Sequence, residues 1–118
     1  MPEPFGILLI SGGHERAHYA WVMAAAAAAI GRPVVLFATN EGCRALLAEP
    51  DPAPLLPGGV ASAAMLREAA VELGVVLLAC DAGLRLAGIE PGWLLAGVSV
   101  VGVPAFLSAS AGGQIVTL

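Results

Sequence analysis

Cys80 follows the apolar run Val75–Ala79 and precedes Asp81-Ala82-Gly83, where a buried strand gives way to a helix. A thiol at a helix start feels the positive end of the helix dipole, which favours the nucleophilic thiolate. Asp81 opposes this, because a nearby carboxylate disfavours a second negative charge. The alternative reading is an inert, buried cysteine that packs as a small apolar side chain. Cys43, next to Arg44, is the only other cysteine. It reads as a packing residue of a helix, with a resolving role toward Cys80 as the alternative.

Residues 14–18 spell H-E-x-x-H. On a helix this places two imidazoles one turn apart with a glutamate as general base, the zinc-peptidase arrangement. The chain has no third histidine, Arg16 is charged where that motif is usually buried, and the motif starts straight after two glycines. No metal is therefore expected, and a site built from His14 and His18, with or without Cys80, is kept as the weaker alternative. His14 is more simply a neighbour of Cys80 or a polar first turn. Ser11, Gly12 and Gly13 resemble half of a dinucleotide loop, but the full G-x-G-x-x-G and its acidic partner are missing, so no nucleotide cofactor is expected. A tight turn is the plainer role; cradling an anion at a helix start is the other.

The elements that position these residues are short. Phe5–Ile10, Pro33–Ala38, Val75–Ala79, Val98–Val101 and Gln114–Leu118 are apolar runs without alternation, as in strands buried on both faces. His14–Ile30 reads as a helix with Ala17, Ala20, Trp21, Ala24 and Ala28 at helical spacing and Gly31 as its stop. Thr39-Asn40 caps a second helix through Glu49. Residues 49–59 hold four of the nine prolines and form an exposed loop. Ala61–Leu73 is a helix with Ser62 as a cap and Gly74 as its stop. Ala82–Ala87 and Pro91–Ala96 read as short helical pieces, and Pro104–Ala111 as a short helix. Strands alternating with helices give an α/β domain, a five-stranded, mostly parallel sheet covered on both faces. The 118 residues form a single domain.

Composition narrows the functional classes. Net charge is −4, with five arginines, no lysine and no adjacent pair, so no basic stripe exists for nucleic acid. Charged residues are only 12% of the chain. A small domain with so few charges is expected to cover part of its surface, by assembling with copies of itself. Residues 91–118 carry no charge at all, yet Gly92, Gly97, Gly102, Pro104, Gly112 and Gly113 interrupt the run, so membrane insertion is not expected. Two cysteines without an export signal read as cytoplasmic thiols.

Ligands of open parallel sheets bind beyond the carboxyl ends of the strands. Three segments fall there: Ser11, Gly12, Gly13 and His14; Thr39, Asn40 and Glu41; Cys80, Asp81 and Gly83. In order along the chain, A-A-A-A-A-A-I-G-R-P-V-V-L-F-A-T-N-E-G (24–42), L-G-V-V-L-L-A-C (73–80), L-A-G-I (86–89) and G-V-P-A-F-L-S-A-S-A-G-G-Q-I-V-T-L (102–118) resemble the DsrE/DsrF-like family, which includes sulfur-relay subunits of the TusBCD type. The resemblance implies a three-layer α/β/α fold, association through the helices flanking the sheet, and a persulfide on the cysteine that stands here as Cys80. The leading expectation is a sulfur carrier or sulfurtransferase. It would take sulfur from a donor protein and pass it to an acceptor thiol, with Asp81, Gly83 and the Ser11–His14 turn shaping the pocket. A non-catalytic module binding a small molecule or anion at the Gly12–Gly13 turn is the alternative. The expected assembly is a homo-oligomer, a trimer or hexamer first and a dimer next.

Overall fold

The computed structural model describes residues 2–118. Five strands form one sheet: β1 (Phe5–Leu9), β2 (Val34–Ala38), β3 (Val76–Cys80), β4 (Ser99–Val101) and β5 (Gln114–Thr117). Their order is β4-β3-β2-β1-β5, and every pairing is parallel, where the sequence promised a sheet only mostly so. The helices are α1 (His14–Ala29), α2 (Ala63–Glu72), α3 (Asp81–Ala87) and α4 (Val103–Ala109). Ser62 caps α2 as expected, its hydroxyl accepting the N–H of Met65 at 3.2 Å. The proline-rich loop is exposed from Pro50 to Gly59.

The three inner strands β1, β2 and β3 bury both faces, and their two sets of side chains meet different helices. The edge strands β4 and β5, expected to be buried on both faces, are largely exposed because each has a neighbour on one side only. Phe5, Ile7, Leu9, Leu36, Ala38, Leu77 and Ala79 face one way, into a core with Trp21, Ala24 and Ala70 of α1 and α2. The alanines of α1 let its backbone lie close to the sheet. Val35, Phe37, Leu78 and Cys80 face the other way, toward Phe106 of α4. The rings of Phe37 and Phe106 stack at 5.0 Å between centroids. The fold is a three-layer α/β/α sandwich with unequal outer layers. A single helix of seven residues covers the second face. On it Val103 and Leu107, and beside it Val76 and Ile115, remain between 42% and 53% exposed.

Two expected helices are shorter than their sequences suggest. Thr39–Glu49 is a 3-10 helix over Asn40–Leu46 only, and Pro91–Ala96 is a 3-10 turn over Pro91–Trp93. The cause is tertiary. Leu47 and Leu94 form an antiparallel bridge, Ala48 N–H donates to Trp93 O at 2.9 Å and Leu95 N–H to Leu46 O at 2.8 Å. That pairing extends both backbones and ends both helices. Thr39 makes no side-chain cap; its hydroxyl donates to Asn40 Oδ1 at 2.9 Å.

Candidate functional site

The carboxyl end of the sheet is held by two close backbone approaches. Gly42 N–H donates to Ile10 O at 2.9 Å, and a Cβ at Gly42 would strike the Leu9 carbonyl oxygen. A Cβ at Gly83, in α3, would strike Thr39 Oγ1 and come within 2.5 Å of Asn40 N. Asn40 takes a left-handed conformation, φ 52°, a region open to asparagine at small cost. These contacts seat the 3-10 helix that carries Cys43 against the junction of β3 and α3.

Cys80 is the last residue of β3 and the N-cap of α3. Its Sγ accepts the N–H of Gly83 at 3.4 Å. The residue is 7% exposed, among Val35, Phe37, Leu78 and Phe106. Asp81 turns to the surface, where its carboxylate pairs with Arg85 at 2.8 Å. Cys43 is fully buried, and both cysteines are free thiols. Burial pushes the Cys43 thiol up to about 11 from an ordinary 9.0, the negative charge of a Cys80 thiolate adds to this, and the Cys80 backbone N–H partly offsets it. The structure thus places Cys43 beside Cys80 and keeps it protonated near neutral pH.

That shift has a consequence for stability. An acid whose folded pKa is raised stabilises the fold fully below its unfolded value, and the contribution is lost as pH rises through the folded one. The window for Cys43 is from 9.0 to about 11. Across it, urea unfolding should report a loss on the order of 2 kcal/mol that Cys43→Ala does not show. The same loss in the alanine variant would assign it elsewhere.

Among the described residues no hydrogen bond joins the remaining candidates to Cys80, although the Gly12 turn packs on Glu41, two residues from Cys43. Ser11 Oγ accepts the N–H of Gly13 at 2.9 Å, a tight turn. Gly12 and His14 line a cavity of about 170 Å³ between the start of α1, α2 and residues 44–53. Trp21, Arg44, Asp51 and Arg67 also line it, and Cys80 does not. The residues expected to form one pocket therefore divide: Asn40, Asp81 and Gly83 stay with Cys80, while Gly12 and His14 belong to the cavity. His18 donates Nε2–H to Ala61 O at 2.9 Å and ties α1 to the chain entering α2. Among the described residues no three His, Cys, Asp or Glu side chains converge as a metal site.

The sequence reading passed over Arg44, Asp51 and Arg67. Arg44 grips Asp51 through two contacts of 2.7 and 3.0 Å and holds that carboxyl below the usual range. The signal for Arg67 was available: it falls on the Ala63, Leu66, Ala70 stripe that α2 turns inward.

The fold is shared with solved structures. A protein of unknown function, MTH1491 from Methanobacterium thermoautotrophicum, superposes with a TM-score of 0.76 at 17% identity, over 98% of this chain and 99% of that one. The ychN protein from E. coli superposes with a TM-score of 0.69 at 14% identity, over the whole of both chains. No curated protein matches the sequence. The DsrE/DsrF-like family model matches residues 5–117, and the chain belongs to that family.

Proposed function

We propose that the protein carries sulfane sulfur as a persulfide on Cys80. The family is associated with sulfur relay, and the observation that carries the reading is Cys80 itself, a free thiol at a strand end whose Sγ accepts the Gly83 N–H in the first turn of α3. That N–H is a donor already held at the sulfur where charge develops during exchange. In the step, the Cys80 thiolate attacks the outer sulfur of a donor persulfide, R–S–SH. The new S–S bond forms as the donor S–S bond breaks, RS⁻ leaves, and it takes up the proton that Cys80 gave up. Discharge to an acceptor thiol is the same exchange in reverse. Cys80 is buried, only 7% exposed, so loading requires the strand end to open when a donor docks there. Intact mass after incubation with a persulfide donor tests this. A gain of about 32 Da, one sulfur, located on Cys80 is expected. No gain while a known carrier in the same mixture is loaded sinks the proposal.

The working form we propose is a homo-oligomer, a trimer or hexamer first and a dimer next. Its support is the second sheet face, where Val103 and Leu107 of the short α4 and Val76 and Ile115 of the strands beside it are exposed. Contiguous exposed apolar surface of this kind marks partner sites, and stable interfaces cover about 800 Å² per partner. Light scattering should give a multiple of the 11.8 kDa chain mass. A single-chain mass that does not change with concentration overturns this. No helix of the described residues is long and apolar enough to cross a membrane; action in the cytoplasm is part of the proposal.

A further inference from the structure

The cavity between α1, α2 and residues 44–53 takes no part in the chemistry proposed for Cys80. Its walls are largely apolar, formed by the methyls of Ala17, Ala63 and Ala64, with the buried Trp21 behind them. Two guanidiniums and one carboxylate also line it. Arg44 and Asp51 neutralise each other. Arg67 has no such partner: among the described residues no carboxylate lies within ion-pair distance of it. Its Nη1 donates to Ala45 O at 3.1 Å and Leu47 O at 2.7 Å. Nε and Nη2 find no protein acceptor among the described residues, so one edge of the planar guanidinium is unused. Burial lowers the pKa of this group, as expected where a cation lacks a counter-charge. A half-buried, uncompensated cation is costly, and an anion that fits beside it removes the cost. At about 170 Å³ the space is smaller than the 300–1,000 Å³ typical of drug-sized ligands, so the occupant is ring-sized.

We propose that this cavity binds a small organic monoanion, a carboxylate with an apolar or aromatic body that lies against Ala17, Ala63 and Ala64 while its oxygens meet the free edge of Arg67. A forked guanidinium pairs with a planar carboxylate through two parallel hydrogen bonds, and the apolar walls favour a carbon body over a bare inorganic ion.

Benzoate is the probe, titrated into the full chain and followed by amide NMR and calorimetry. Benzoate should shift the signals of Ala63, Ala64 and Arg67 and bind about tenfold or more tightly than neutral benzamide or sulfate. Arg67→Gln should weaken it by about tenfold. Ala64→Trp, at an exposed position on the rim, should fill the space and abolish binding; it decides the question if Arg67→Gln does not fold. Cys80→Ser should leave binding unchanged, which separates this site from the persulfide. Benzamide or sulfate binding as well as benzoate, full binding in Ala64→Trp, or no response at about 10 mM benzoate overturns the proposal.

Discussion

Cys80→Ser should take up no sulfane sulfur from a persulfide donor, and it should remain as stable as the parent chain. The two halves of this expectation come from the same atom. Sγ of Cys80 is both the proposed nucleophile and the cap that accepts the Gly83 N–H. A serine hydroxyl is among the best N-caps, so the helix start keeps its acceptor. An alcohol forms no persulfide, so the chemistry disappears while the structure stays. Cys43→Ser is the informative companion. With its thiol held protonated up to about pH 11, Cys43 is a poor nucleophile near neutrality, and its loss should leave loading on Cys80 intact. Intact mass of the two variants decides. A sulfur adduct that persists in Cys80→Ser and vanishes in Cys43→Ser would move the carrier role to the deeper thiol.

Gly42→Ala should be the most damaging single methyl in the protein's site. The added Cβ would meet the Leu9 carbonyl oxygen, with the Leu9 carbonyl carbon at 2.7 Å and the Ile10 carbonyl carbon at 3.1 Å. All three are backbone atoms at the end of a central strand, and none can swing aside as a side-chain tip does. Relief requires the 3-10 helix to move off the sheet, which stretches the hydrogen bond from Gly42 N–H to Ile10 O. Overpacking against backbone together with a lost buried hydrogen bond costs about 3 kcal/mol. The melting temperature should fall by roughly 10–15 °C. Gly58→Ala is the control, because nothing lies within 4 Å of its Cβ position. Equal melting temperatures for the two alanine variants would show that the strand end yields more easily than its geometry allows.

The centre of the sheet was readable because its inner strands are buried on both faces, which leaves uninterrupted apolar runs such as Val34–Ala38. The edge strands Ser99–Val101 and Gln114–Thr117 are apolar runs too, yet largely exposed. The stop glycines were readable for an equally local reason: Gly31 and Gly74 take positive φ, 91° and 84°. The 3-10 segment was not. Residues 40–49 have ordinary helical composition, and what shortens the helix is a bridge to Leu94, remote in sequence. The division of the site was half visible. Strand alternation puts Leu78 and Cys80 on the face opposite Leu77 and Ala79. The same alternation separates Cys80 from the α1–α2 layer, and hence from His14. No local pattern reveals that Cys43 reaches the Cys80 backbone from a neighbouring element.

The strand order also dictates an itinerary for folding. β1 meets β2 through the register Phe5↔Val34, a separation one helix can close. Its other edge waits for β5, where the register is Phe5↔Gln114, more than a hundred positions along the chain. Distant pairings form late, because their loop-closure entropy must be met before their contacts are gained. The outer edge of β1 is therefore expected to be the last to be paired, its amides and carbonyls bare until β5 arrives. A second chain in the same condition can supply its own β5 to that edge. The route that completes one molecule and the route that exchanges strands between two thus diverge at the same step, and protein concentration sets the branching between them.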